Sequence, residues 1–244
     1  MTTLLISDLH LHPQAPDIAE GFKRYLTEHA AGADALYILG DLFEAWIGDD
    51  YQGDFEATIL DALRRLSDTG TRLYFMHGNR DFLIGEGFAE ATGATLLPDP
   101  ISIELGGERA LLMHGDSLCT RDAAYMAFRA KARDPQWQAQ ILALPVEQRL
   151  ALAQDLRRQS GEANSNKAED IMDVTPEEVT RVMAEHGVRT LIHGHTHRPA
   201  VHALEIAGEP ARRIVLGDWQ PDRGWEIRVE ADGEPVLRDF PLDA

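Results

Sequence analysis

Five polar clusters in this chain each follow a short apolar run. They are Asp8-Leu9-His10, Gly40-Asp41, Gly78-Asn79-Arg80-Asp81, His114-Gly115-Asp116 and Gly194-His195-Thr196-His197. Together they supply carboxylate oxygen, amide oxygen and imidazole nitrogen, the donor set of a hard-to-borderline divalent metal. Two such metals sharing a carboxylate suit the cleavage of phosphate esters. Each cluster alone says little. A Gly-Asp pair is a common turn, and a core histidine is more often hydrogen-bonded packing than a ligand. The weight lies in five together, in order, each closing an apolar run.

Those runs, LLIS, LYIL, LYFM, ALLM and TLIH, read as short buried strands. Strands are expected over 4–7, 35–39, 72–76, 109–113 and 190–193, with Ile101–Glu104 pairing as a hairpin across Gly106-Gly107. Helices are expected over 15–31, 55–69 (closed by Gly70) and 82–93, giving the βαβ rhythm of an α/β fold. The middle differs. Residues 122–133 and 136–160 carry helical periodicity with no strand between, Pro145 suits the first turn of a second segment, and 161–166 reads as a loop. Thr175-Pro-Glu-Glu178 reads as a helix start running to about His186. Strands at 190–193 and 213–216 and a meander around 225–229 complete the chain. The organisation expected is a core of 1–120 and 171–244 with a helical insertion at 121–170.

Ligands separate from bystanders by position. Asp8 and His10 lie two apart, as do His195 and His197, so on an extended chain each pair points to one side. His77 and His193 lie within apolar runs and read as buried and hydrogen bonded. His12, before Pro13, is more exposed and less well placed, and His29, His186 and His202 have no partner signal. Asp81 and Asp116 are placed to hold ligands from behind. Cys119 reads as an inert small residue.

The net charge is −18, which argues against general nucleic-acid binding, since phosphate backbones want a basic face. The charge is uneven. Residues 121–167 hold eight Lys/Arg against five Asp/Glu, so that segment is +3 and the remainder −21. Local positive charge on an acidic chain hints at an anionic ligand or surface. One cysteine allows no internal disulfide and fits a reducing compartment. There is no secretory h-region and no apolar run near the ~20 residues of a spanning helix, so a soluble or peripheral cytoplasmic protein is expected.

The ordered series Asp-x-His, Gly-Asp, Gly-Asn-x-Asp, His and Gly-His-x-His resembles the calcineurin-like metallophosphoesterases, two-metal enzymes on an αββα sandwich. The resemblance implies Asp8, His10 and His197 at one metal, Asn79, His114 and His195 at the other, and Asp41 between them. A shared anion offsets the repulsion of two close dications, and an amide at Asn79 adds a ligand without adding charge. Most members of that family carry histidine after the Gly-Asn, where it donates a hydrogen bond or proton near the leaving group. Here the residue is Arg80, which cannot donate a proton at neutral pH but clamps phosphate oxygens in bidentate fashion. That favours a leaving group that departs well unprotonated. Asp41, Asn79 and Arg80 are the expected catalytic set.

Longer strings narrow the match. LISDLHL, ADALYILGDLFEAWIGDD, HGNRDFL, MHGDSLCT, AFRAK, EANSNKAEDIMDV and LIHGHTHRPAVH are similar to the UDP-2,3-diacylglucosamine diphosphatases of the lipid A pathway. That resemblance spans nearly the whole chain. It implies release of UMP and a diacylglucosamine 1-phosphate by attack on the α-phosphorus. It also implies two Mn²⁺ ions, peripheral attachment to the cytoplasmic face of the inner membrane, and substrate held by Asn79, Arg80, Asp122, Ser160, Asn164, Lys167 and His195. N/O ligation by itself admits Mn, Fe, Zn or Co. A monomer is expected.

The stretch with Tyr125, Phe128, Trp137, Ile141, Val146, Leu150 and Leu156 could form an acyl-chain chamber, or a cap packed on its own core. Phe43 and Trp46 are further candidate wall residues. The competing functions are a soluble nucleotide pyrophosphatase or phosphodiesterase of the same fold, a non-catalytic scaffold, and a nuclease. Retention of all seven metal-ligand positions disfavours the scaffold, and the acidic core disfavours the nuclease.

Overall fold

The computed structural model describes residues 2–51, 53–164 and 173–242, and over 160–164 the backbone alone. The first half alternates as the apolar periodicity requires: β1 (Thr3–Ile6), α1 (Pro16–Tyr25), β2 (Ala35–Leu39), α2 (Asp54–Asp68), β3 (Arg72–Met76), α3 (Glu86–Thr92) and β4 (Thr95–Leu97). A hairpin follows, β5 (Ile101–Leu105) and β6 (Glu108–Leu112), then helices α4 (Ala123–Ala132), α5 (Pro135–Leu142), α6 (Val146–Asn164) and α7 (Pro176–His186). The chain continues through β7 (Thr190–His193), β8 (Ala200–Ile206), β9 (Glu209–Val215), β10 (Arg223–Val229) and β11 (Val236–Pro241).

The strands form two sheets, ordered β11-β10-β1-β2-β3-β4 and β5-β6-β7-β9-β8. β1 through β4 pair in parallel, as do β6, β7 and β9. Parallel strands are covered on both faces, which is why their sequences read as unbroken apolar runs. Alternate residues serve different layers. Leu4, Ile6, Leu36, Ile38, Leu73 and Phe75 face the α1–α3 side with Phe22, Ile59, Leu63 and Phe88. Leu5, Leu39 and Met76 face the other way, meeting Leu112, Ile192 and Ile214 between the sheets. Leu111 and Leu191 turn out to Val179, Val182 and Met183 of α7. Each such side chain, fully buried, contributes roughly 1.5–3 kcal/mol. The fold is an αββα sandwich.

Several local expectations change. The first helix ends in a π-helical turn over Leu26–Ala30, and the third begins at Glu86 rather than 82. Residues 161–164, expected as loop, continue α6. A glycine within a helix costs only about 1 kcal/mol against alanine, so Gly161 does not stop one. Thr175 sits at the N-cap position of α7 without a side-chain cap bond. Its hydroxyl instead accepts from Thr120 Oγ1 at 2.7 Å.

Among the described residues, the inserted helices have no core of their own. α4 buries only Ala132, and α5 buries nothing. Along α6 to residue 159 only Arg149 is buried. They are tied to the rest of the molecule by polar anchors. Arg133 donates to the carbonyls of His77 (3.1 Å) and Gly78 (3.0 Å). Arg149 donates to Ile47 O at 2.6 Å and forms a two-pronged pair with Asp50.

Candidate metal centre and adjoining cavity

All five clusters lie just past the carboxyl ends of β1, β2, β3, β6 and β7, the rim where α/β sheets hold ligands. The backbone there is not extended. Among the described residues, six non-glycine residues have positive φ. Five of them are Asp8 (57°), His10 (50°), Asp41 (53°), His195 (68°) and His197 (55°). Only Ala207, in the turn between β8 and β9, lies elsewhere. The left-handed region costs a non-glycine residue on the order of 1 kcal/mol, least for Asp, Asn and His. Strain concentrated on one rim is the signature of a functional site. It also corrects the expected reason for the two-residue spacing: Asp8/His10 and His195/His197 are positioned by left-handed turns, not by strand alternation.

Interlocking loops hold this backbone in place. Asp8 N donates to Gly40 O (3.1 Å), His10 N to Asp41 O (3.0 Å), Leu11 N to Leu42 O (2.9 Å) and Gly194 N to His114 O (2.9 Å). Gly40 and Gly78 are needed for the close approach. A Cβ on Gly40 would lie 2.6 Å from the Gly78 Cα and from His114 Nδ1.

The side chains converge on two clusters. In the first, His10 Nε2 lies 3.1 Å from His197 Nε2, 4.0 Å from Asp8 Oδ1 and 4.0 Å from Asp41 Oδ2. His197 Nε2 is also 3.3 Å from Asp8 Oδ1. In the second, His114 Nε2 lies 3.0 Å from Asn79 Oδ1 and 3.8 Å from Asp41 Oδ1. The His195 ring sits edge-on to His114, centroids 5.1 Å apart. Asp41 therefore offers one oxygen to each cluster. The structure brings all seven expected ligands together.

Supporting bonds aim the donor atoms. Asp8 Oδ2 accepts from Ser7 Oγ (2.5 Å) and His195 N (2.9 Å), while the buried Oδ1 accepts no hydrogen bond. His114 Nδ1 donates to Leu39 O at 2.8 Å, which turns Nε2 toward the cluster, as a metal ligand requires. Asp81 accepts from Gly78 N and Leu42 N, both 2.8 Å, and so shapes two of the loops. Burial and the neighbouring Asp41 push its carboxyl up to about 6. Asp116 does not touch a cluster imidazole. It accepts from Tyr125 OH (2.8 Å) and Arg129 Nε (2.9 Å) and so anchors α4. His193 is fully buried and bonds Gly194 O at 2.8 Å, and His77 bonds Ile84 O at 2.7 Å. Burial pushes the Cys119 thiol up to about 12, as an inert residue requires.

The cluster draws positive charge. Burial would lower His114, yet Asp41, Asp116 and Asp8 outweigh it and push the imidazole up to about 9. Burial would raise Asp8, yet His197, His114 and His10 hold it well below the usual carboxylate range. His195, buried beside His114, falls to about 4 and stays neutral. Buried carboxylates, an unbonded carboxylate oxygen and imidazole nitrogens at these separations suit divalent cations with N/O ligation, and the rise at His114 shows that the buried carboxylates call for positive charge here. Two overlapping groups, Asp8/His10/His197 and Asp8/Asp41/His114, each bring their donor atoms within 4.8 Å of one another.

Beside the clusters opens a cavity of about 290 Å³. Trp46, Ile47, Phe82 and Leu83 line it from the core, and Tyr125, Phe128, Trp137, Ile141, Leu152, Ala153 and Leu156 from the inserted helices. The sequence stripe is thus shifted on α6: Leu152 lines the cavity, whereas Val146 and Leu150 do not. Phe43 is buried in the core against Trp46 rather than on the wall. Asn79 and Arg80 stand at the wall as well, and Arg80 Nε is buried without a hydrogen-bond acceptor among the described residues.

Of the expected substrate residues, Asn79 and Arg80 line the cavity, and His195 lies in the adjoining cluster against His114 and Tyr125. Asp122 caps α4, its Oδ1 accepting from Tyr125 N at 3.1 Å. Lys167 and the side chains of Ser160 and Asn164 lie outside the described residues. Three residues without a sequence signal also face the site: Glu44, Arg149 and Arg157, all at the cavity wall. Only the folding of α6 onto the 43–50 loop reveals them.

Residues 1–199 match the model of the calcineurin-like phosphoesterase family. The chain is 68% identical over its full length to a UDP-2,3-diacylglucosamine hydrolase of Chromohalobacter salexigens, covering 99% of that protein. It is 58% identical to the protein of that name from Pseudomonas aeruginosa, over 99% of this chain and all of the relative. The Azotobacter vinelandii counterpart is 56% identical, with both chains wholly covered.

Proposed function

We propose that this chain, which belongs to the calcineurin-like phosphoesterases and within them to the family of the UDP-2,3-diacylglucosamine hydrolases, cleaves the pyrophosphate of UDP-2,3-diacylglucosamine. The products are UMP and the diacylglucosamine 1-phosphate. The observation that carries the reading is the juxtaposition at Arg80: a guanidinium between a metal-type cluster and an apolar cavity. A diphosphate bearing an acyl tail needs those three features side by side. A soluble nucleotide has no use for the apolar one.

Asp8, His10, Asp41 and His197 would hold one divalent ion, and Asp41, Asn79, His114 and His195 the other. Mn²⁺ is the ion we assign. When bound, such ions supply Lewis acidity and a water acidic enough to attack near neutral pH. The protein's own part is positional. Asp41 Oδ1 accepts from Arg80 N at 2.9 Å, so the bridging carboxylate and the phosphate clamp share one backbone segment. Arg80 then orients the phosphoryl oxygens and balances charge that grows on them. It donates no proton, so the sugar phosphate leaves as an anion. Residues 121–170 act as a lid whose apolar face takes the acyl chains. Ser160, Asn164, Lys167 and Asp122 contact the polar part of the substrate.

No helix among the described residues is long and apolar enough to cross a membrane. We assign a monomer that meets its lipid at the inner-membrane surface from the cytoplasm. The test compares UMP release from UDP-2,3-diacylglucosamine with that from an unacylated UDP-sugar. At least a hundredfold preference for the acylated compound is expected. Equal rates would hand the site to soluble nucleotides. Hydrolysis in ¹⁸O water should label UMP, and label in the sugar phosphate would overturn attack at the α-phosphorus.

A further inference from the structure

Glu44 lies three residues past Asp41, where nothing in the sequence marks it. Its backbone is tied to the His10 loop: Glu44 N donates to Leu11 O at 3.1 Å, next to a parallel bridge between Leu11 and Phe43. Its side chain faces two ways. Oε2 lies 3.2 Å from His10 Nδ1, the ring nitrogen opposite the one that faces Asp8, Asp41 and His197; the two stand at ion-pair distance without a hydrogen bond, and Nδ1 is buried with no hydrogen-bond partner among the described residues. Oε1 pairs with Arg157 of α6, whose Nη1 also donates to the Glu44 carbonyl at 3.0 Å. The carboxylate is largely shielded, its side chain 18% exposed.

We propose that Glu44 is a positioning residue that couples the lid to the metal centre: it orients His10 through Nδ1 and is itself held by Arg157 when α6 is docked. The proposal rests on the metal reading above. A carboxylate that accepts the second ring N–H of a ligating imidazole fixes its tautomer and raises its basicity, and removing such a partner typically weakens metal binding by about 10–100-fold; Glu44 Oε2, 3.2 Å from Nδ1, stands within reach of that bond. Here the same carboxylate also answers to a cation on a separate element. Its two oxygens make the lid position and the His10 orientation one equilibrium. Linkage then demands reciprocity: metal at His10 favours docked α6 by the factor by which docked α6 favours metal. Arg149, anchored to Asp50 and Ile47 O, holds the same helix two turns earlier but touches no metal-facing group. The coupling therefore runs through Arg157.

The test uses the full chain with Mn²⁺ as probe, free ion being counted by its EPR signal. Amide hydrogen exchange over 146–159 is followed with and without the ion. In the wild type, Mn²⁺ should slow exchange along α6. Glu44→Gln should weaken Mn²⁺ binding at least tenfold and abolish that slowing. Arg157→Ala leaves every cluster side chain in place and keeps the test open should Glu44→Gln not fold. It should abolish the slowing and weaken Mn²⁺ binding by a smaller factor. Wild-type affinity and wild-type slowing in both variants would overturn the coupling alone. Weakened binding with the slowing intact would also overturn it. A wild type that binds no Mn²⁺ would overturn the metal reading, and this proposal with it.

Discussion

Asp8 and His197 lie far apart in the chain, yet Oδ1 of the first lies 3.3 Å from Nε2 of the second. Asp8 follows a strand of one sheet and His197 a strand of the other. The metal centre therefore sits on the seam of the sandwich, and each cluster draws on both sheets. Holding two cations there would fasten the layers together.

Removal of metal should accordingly cost stability as well as activity. Chelation should abolish UMP release and lower the melting temperature. An ion present at 100 times its Kd contributes about 2.7 kcal/mol by mass action. A melting curve unchanged by chelator and by added Mn²⁺ would count against ions at the seam.

Asp41→Asn should leave the fold intact, because the amide keeps the carboxylate's shape and an oxygen for Arg80 N. It should lower turnover by at least ~10³-fold, the range for losing a central electrostatic group. Metal content measured on the same protein should fall below the wild-type stoichiometry. Wild-type content with wild-type turnover would remove Asp41 from the bridging position.

Arg80→Ala should stay folded and metallated while losing about 10²–10³-fold in turnover. Arg80→Lys should recover little, since an ammonium cannot reproduce the planar two-pronged grip. Near-normal turnover in the alanine variant would defeat the clamp.

Leu152 tests the cavity without touching the clusters. Leu152→Glu places a carboxylate on the wall and should raise KM for the diacylated substrate at least tenfold, as expected for burying an unpaired charge. Slow cleavage of an unacylated UDP-sugar should be unchanged. An equal loss on both substrates would mean that Leu152 supports the fold rather than the tail.

The anchor between Arg149 and Asp50 predicts a pH dependence. The Arg149 hydrogen bonds hold the Asp50 carboxyl below its usual range. A carboxyl lowered on folding contributes stability that is present above its unfolded pKa of about 3.9 and is lost as pH falls through the lower folded value. Docking of α6 should therefore loosen below about pH 4. Pulse-labelled hydrogen exchange over 146–159 reads this directly. Asp50→Asn should show the looser pattern already at pH 6. An identical profile in both proteins would show that the pair does not hold the helix.

Much of this was legible in one dimension. The apolar runs ending in Asp, Asn and His mark β1, β2, β3, β6 and β7 with their ligand-bearing ends, because a strand buried on both faces needs a continuous apolar sequence. The order of the clusters carries the family resemblance, and that resemblance implies the seven side chains that converge. Composition alone marked 121–167 as basic. These features are local, written by residue type and by spacing of two to four positions.

Other features depend on contacts between segments far apart in sequence, and only the tertiary structure decided them. Left-handed turns, not strand alternation, aim Asp8, His10, His195 and His197, because interlocking loops hold φ values the residues would not choose alone. Which face of α6 meets the cavity was settled by the Arg149 anchor, which turns Leu152 inward in place of Leu150. Asp116 reaches for Tyr125 and Arg129 rather than for the imidazole two residues before it. Glu44 acquires its place between His10 and Arg157 solely because two loops and a helix pack there. Spacing can name the atoms that bind a metal; the directions in which they point are set by everything packed behind them.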